Sequence, residues 1–226
     1  MPQPDTQPAG SAQPAVRLAA RWAALGNRLT AAPEPWRATG SRLLRNWARW
    51  PRRYHDLRHL DACLRHLDRV RPALRDAVTV EIALWFHDAI YWPWSGANEL
   101  RSADWAQRFL QSLGWEAARA AQVRQLVLDT RHCAQPASCD GALLVDIDLA
   151  ILGVDRPAYL RFEHDVRAEY RWVWWPRYCA GRAALLRGFL ERPRIYSSAE
   201  FRSREAAARA NLAHAIEALD ARRAPA

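Results

Sequence analysis

From Trp36 onward the chain avoids two-residue alternation almost entirely. Apolar residues recur three and four apart instead, the spacing of one face of a helix. This periodicity predicts an all-α domain, a helical bundle of eight or nine helices over residues 36–220. Approximate helices fall at 37–49, 54–70, 74–90, 99–112, 115–131, 141–152, 157–172, 178–190 and 199–220. Breaks fall at Pro51, Pro72, Pro93 to Gly96, Gly114, Pro136, Pro157, Pro176 and Pro193. Pro157 and Pro176 suit helix starts as well, where a missing amide hydrogen does little harm.

Two of these segments are apolar on nearly every side, yet each carries carboxylates. The segment at 74–90 presents Val78, Ile82 to Phe86, Ala89 and Ile90, then His87-Asp88 near its end. A buried aspartate is costly unless it is paired or bound to a metal. The same holds for Leu143 to Leu152, which Asp146 and Asp148 interrupt. Two residues apart on a helix, those carboxylates point about 160° away from each other. One can reach a metal, and the other caps a helix or anchors a histidine or arginine behind the site. The helix at 54–70 sets a leucine stripe, Leu57, Leu60, Leu64 and Leu67, opposite a histidine stripe of His55, His59 and His66. That stripe alone fits a solvated face equally well. Taken with the two buried segments, it suggests neutral imidazoles and carboxylates gathered around a hard or borderline divalent ion, Mn²⁺, Fe²⁺, Zn²⁺, Co²⁺, Ni²⁺ or Mg²⁺. Such an ion lowers the pKa of water and polarises a phosphoryl oxygen.

Composition excludes several classes. The net charge is +9, and all 33 basic residues are arginine, with no lysine. Read beside the abundant alanine, that points to a compositional bias and a generally arginine-rich surface, not a dedicated nucleic-acid face. Arginine also grips phosphate bidentately, so the excess suits a small phosphorylated substrate. The four cysteines, Cys63, Cys133, Cys139 and Cys179, form no Cys-x-x-Cys pair, which argues against a structural zinc site. No secretory signal and no run of roughly 18 apolar residues is present. The reading is a cytoplasmic protein with reduced thiols and no membrane partner. Residues 1–15, rich in Pro, Gln, Ala and Ser, should be disordered. Val16 to Leu29 suits a loosely attached helix, so 1–35 is read as a loose segment and 221–226 as a tail. Trp92, Trp94 and the Trp172 to Trp175 cluster lie at breaks. They fill the core at helix ends, line a pocket, or form a homodimer face.

The run His59, His87-Asp88, Asp148 resembles the HD superfamily of metal-dependent phosphohydrolases, in particular its small bacterial branch. The resemblance extends from Trp47 to Leu219. It rests on Arg53-Tyr54-His55 through His59, Trp85-Phe86-His87-Asp88 with Tyr91, Asn98-Glu99 with Ser102-Ala103, and Thr130-x-His132. Asp146-x-Asp148-Leu149-x-Ile151-Leu152-Gly153, Arg167-x-Glu169-Tyr170, Gly181-Arg182, Ile195-Tyr196 and Ala208-Arg209-x-Asn211 complete it. Asp56 departs from the asparagine that often follows the first histidine. The resemblance implies a metal on His59, His87, Asp88 and Asp148, with Asp148 favoured over Asp146. It implies His55 as the acid that protonates the leaving group.

Other roles stay open at this stage. His132 would hold a second metal or a phosphate, or be a polar turn residue. Glu99 would hold a water or favour a helix start. Asn98 would contact substrate or cap a helix. Arg167 and Arg182 would bind phosphate or pair with acids such as Glu169. The leading expectation is a phosphohydrolase for a nucleotide or other small phosphate ester. The alternatives are a non-catalytic metal- or nucleotide-binding protein and a di-iron oxygenase on the same scaffold.

Overall fold

The computed structural model describes residues 14–222, and over these the chain is all-α, with no strand among the described residues. Ten helices run α1 Pro14–Leu29, α2 Pro33–Trp47, α3 Leu57–Val70, α4 Ala77–Phe86, α5 Asn98–Ser112, α6 Ala117–Asp129, α7 Cys139–Asp148, α8 Arg156–Glu169, α9 Trp175–Leu190 and α10 Glu205–Ala221. The Pro- and Gln-rich start, residues 1–13, and the last four residues of the expected tail lie outside the described region.

Helix α4 is the centre. Every side chain from Thr79 to Phe86 is buried, and α3, α5, α6 and α7 pack around it. Asp76 starts the helix by accepting hydrogen bonds from the Val78 and Thr79 amides, each at 3.1 Å. This cap sets the start at Ala77, later than the periodicity suggested, because the side-chain acceptor satisfies otherwise orphaned amide donors. Asp56 does the same for α3, accepting from the Arg58 amide. His55 therefore stands before the helix and not on its histidine stripe. Helix α7 ends at Asp148, and a 3₁₀ turn over Leu149–Gly153 replaces the expected continuation to 152. Pro33, Pro157 and Pro176 all fall in the first turns of helices. Pro33 opens α2 four residues before the expected start at 37.

The expectation of a loose segment over 1–35 fails for residues 14–35. Leu18, Trp22 and Leu25 are buried, and α1 pairs with α2 through a reciprocal contact. The indoles of Trp22 and Trp36 stack at 4.3 Å. Each N–H donates to the other residue's carbonyl, at 2.9 and 2.8 Å. Four residues after each tryptophan comes a glycine that makes room for the partner ring. A Cβ on Gly26 would sit 2.2 Å from Trp36, and one on Gly40 2.2 Å from Trp22. Arg21 then ties α1 to the core by ion pairs to Asp68 and to buried Glu81. Gly→Ala inside a helix ordinarily stabilises. Here Gly40→Ala should destabilise by about 1–3 kcal/mol, the cost of overpacking against a fixed ring. Chemical denaturation checks the sign, and a more stable Gly40→Ala protein would refute the packing account.

The tryptophans divide into two groups. Trp36, Trp47 and Trp85 are fully buried, whereas Trp50, Trp94, Trp172 and Trp174 are 57–75% exposed. Core filling therefore does not explain Trp94, Trp172 and Trp174 at these breaks, whereas Trp92 and Trp175 are half-buried.

Candidate metal centre

Four helix ends meet at one point. His59 lies in the first turn of α3. His87 follows the last residue of α4, Asp148 ends α7, and His132 sits in the loop after α6. His59 Nε2 lies 3.2 Å from His87 Nε2 and 3.1 Å from Asp148 Oδ1. His87 Nε2 lies 3.6 Å from Asp148 Oδ1. Two ligand atoms held tetrahedrally at about 2.1 Å from one ion are about 3.4 Å apart. The observed separations fit that geometry. His87 Nδ1–H donates to the Leu84 carbonyl at 2.8 Å, so in the neutral ring the lone pair lies on Nε2, aimed at the other two. Three electron-rich atoms facing one buried point suit a cation.

Burial and charge pull against each other across the cluster. Burial drives His87 down, but the Asp88 and Asp148 carboxylates outweigh it and raise its pKa to about 9. Burial would raise Asp148, yet hydrogen bonds from His132, His59 and His87 hold it well below the usual carboxylate range. Metal binding must therefore expel protons.

The ligand set read from the sequence was His59, His87, Asp88 and Asp148. The residues whose ligand atoms all lie within 4.8 Å of one another are His59, Cys63, His87 and Asp148. Asp88 stands at the edge, with Oδ2 3.5 Å from His87 Nε2. Cys63 is one helical turn from His59, its sulfur 3.7 Å from His59 Nε2. Sequence reasoning passed over it because no Cys-x-x-Cys motif marks it, although the four-residue spacing from His59 was itself a signal. His66, the third member of the stripe, lies apart in a cavity of 290 Å³ that reaches the cluster from the Cys63 side.

A larger cavity of 530 Å³ opens on the other side, and Asp148, Asp88, His55, Glu99, His132 and Arg182 line it. His132 Nε2 lies 3.2 Å from the second oxygen of Asp148. Its backbone has φ 56°, a left-handed conformation uncommon outside glycine, and its Nδ1 is buried with no hydrogen-bond partner among the described residues. His132 thus orients the carboxylate from behind. Its replacement by Ala should weaken metal binding about 10–100-fold. Metal titration reads this directly, and an unchanged affinity would remove His132 from the site.

His55 faces this cavity 6.0 Å, ring to ring, from His59. Its Nδ1 donates to Glu169 Oε2 at 2.6 Å, and its ring stacks on Tyr91 at 4.5 Å. Glu169 Oε1 accepts the amides of Arg53, Tyr54 and His55, and Tyr91 Oη donates to Oε2. Burial pushes His55 down, but Glu169 overrides it and raises the imidazole above its ordinary value. Burial, with the nearby Asp88 charge, pushes Glu99 up.

The remaining assignments need correction. Asn98 neither caps α5 nor lines the cavity; its amide bonds Trp92 and Ser95 and fixes the 92–97 loop. Arg167 does not reach the cavity or pair with Glu169. It donates to the Tyr170 and Val173 carbonyls and stacks over Trp175 and Tyr178. Arg182 does line the cavity, but Glu163 engages it through two nitrogens, at 3.0 and 2.7 Å. Asp146 accepts from Ser197 and Ser198, not from a histidine, an arginine or a helix start.

Fold and site together define an all-α protein with a buried His/Cys/Asp cluster that could hold a metal ion. No helix among the described residues is long and apolar enough to cross a membrane. Comparison with protein-family models, curated proteins and solved structures found no match.

Proposed function

We propose that this chain is a metal-dependent phosphohydrolase acting on a nucleotide or another small phosphate ester. The carrying observation is the convergence of His59, His87 and Asp148, separated by 3.1–3.6 Å, beside a cavity that also holds His55 on its carboxylate. The ordered motifs that resemble the HD superfamily support the same reading. A divalent ion there supplies Lewis acidity toward a phosphoryl oxygen and lowers the pKa of water.

The chain's own residues supply the rest. His59, His87 and Asp148 hold the ion, with Cys63 and Asp88 as further candidate ligands; a thiolate would favour zinc or iron over magnesium. His132 holds Asp148 in place. His55 carries a proton on Nε2, because Nδ1–H is committed to Glu169, and gives it to the departing oxygen. Glu99 is placed on the cavity wall to hold a water. Because Glu163 already engages Arg182, the exposed Arg177 at the cavity lip is the freer cation for phosphate.

The test is phosphate release from a panel of nucleotides and small phosphate esters, with Mn²⁺, Fe²⁺, Co²⁺, Ni²⁺, Zn²⁺ or Mg²⁺ added singly. Turnover should depend on the metal and vanish in the His87→Ala/Asp88→Ala protein. Metal binding without phosphate release across the panel would contradict the proposal. So would an iron- and oxygen-dependent product that forms without phosphate release.

A further inference from the structure

Three loops, 48–53, 91–97 and 170–177, the last running into the first turn of α9, carry six of the twelve tryptophans. They also carry Arg49, Arg52, Arg53, Arg171 and Arg177 and contain no Asp or Glu. Ring contacts join two of the loops. Trp92 packs on Trp94 at 5.2 Å, and Trp94 meets Trp172 edge-on at 6.3 Å. Guanidiniums tie in the third. Arg49 lies over Trp92 at 4.2 Å, and Arg171 over Trp50 at 5.2 Å. Trp50, Trp94, Trp172 and Trp174 are 57–75% exposed. Arg49, Arg53, Arg171 and Arg177 are exposed and make no ion pair among the described residues.

Indoles left in water at this density are unfavourable, so the face needs a partner. The partner must be anionic, because no carboxylate on these loops offsets the arginines. That disfavours a second copy of the chain. A two-fold interface sets the same patch against itself and would bring these arginines together unpaired. A single-stranded nucleic acid would stack its bases on open ring faces. Here Arg171 lies over Trp50, and Trp94 is engaged by Trp92 and Trp172, so these rings do not stand apart as open stacking faces. None of the four exposed indoles lines the 530 Å³ or the 290 Å³ cavity, so a peptide lying in either would leave these rings in water. Protruding indoles flanked by arginine match the interfacial zone of a bilayer, where the ring sits at headgroup depth and the cation meets lipid phosphate.

We propose that this tryptophan–arginine face docks the protein peripherally on an anionic phospholipid surface. Peripheral docking departs from the expectation of no membrane partner, which rested on the lack of a spanning segment. The loops also contribute Tyr91, Tyr170, Val173 and Arg177 to the wall of the 530 Å³ cavity, so the docked protein would hold that cavity close to the headgroups.

Flotation of the full chain with phosphatidylcholine vesicles, with and without phosphatidylglycerol, tests this without any assay of turnover. The protein should float with the anionic vesicles, stay behind with the neutral ones, and release in high salt. Trp94→Ser/Trp172→Ser/Trp174→Ser should abolish flotation. Arg49→Gln/Arg171→Gln should weaken it about five-fold per arginine. All five side chains are exposed, and unchanged circular dichroism and melting will verify folding. Arg194→Gln/Arg202→Gln, two exposed arginines outside the loops, should change little. No flotation, or an equal loss in that control, would overturn the proposal. A single-stranded oligonucleotide bound tightly through the same tryptophans, or a tryptophan-dependent dimer, in a chain that ignores anionic vesicles, would also overturn it and name the true partner.

Discussion

Asp148→Asn should strip the metal and reduce turnover to background. Among the described residues, Asp148 is the only anion whose one oxygen meets both histidine nitrogens while its other is held by His132. Asn keeps the shape and loses the charge. His59 and His87 would then share a buried site without the carboxylate that balances a dication. Metal affinity should fall by more than the roughly 100-fold expected for a partner behind a ligand. Asp146→Asn gives the contrast. Asp146 is fully buried but spends both oxygens on the Ser197–Ser198 turn. Its loss should cost about 1–3 kcal/mol of stability, the penalty for disrupting buried hydrogen bonds, with metal affinity nearly intact. Metal titration and denaturation of the two variants give both numbers, and the reverse ranking would assign the site to the wrong carboxylate.

His55→Ala should lower kcat by about 10²–10⁴-fold, the usual contribution of a positioned acid, and leave metal content unchanged. The pH profile separates this role from a structural one. Glu169 raises His55 above its ordinary value, so the protonated acid should persist through neutral pH, and its loss should set the alkaline limb of the kcat profile. Glu169→Gln removes the charge that opposes burial. Burial is the largest influence on His55 and acts downward. The alkaline limb should therefore move to lower pH in that variant. A limb that stays in place, or metal lost with His55→Ala, would refute the assignment.

The helices were legible because burial imposes its period on any amphipathic or apolar segment. Their ends were less so, since α3 and α4 start where Asp56 and Asp76 accept amide hydrogens, a choice between neighbouring polar residues that periodicity does not make. Docking of α1 was missed although the local pattern Trp-x-x-x-Gly occurs at both Trp22 and Trp36. Only the pairing of the two helices shows that each glycine receives the other's ring. At the site, His59, His87 and Asp148 were readable because polar residues interrupt apolar runs in a recognisable order. Glu169 was not, because the amides it accepts lie 114–116 residues away in sequence. Asn98 and Arg167 were misread for a related reason. A polar side chain that braces a loop has the same sequence appearance as one that binds a ligand.

Anomalous diffraction at the metal edge, from crystals grown with Mn²⁺ or Zn²⁺, bears most directly on the metal centre. A single peak should lie about 2.0–2.3 Å from His59 Nε2, His87 Nε2 and an oxygen of Asp148. Density at any other set of side chains, or no peak at this cluster with metal in excess, would contradict the account.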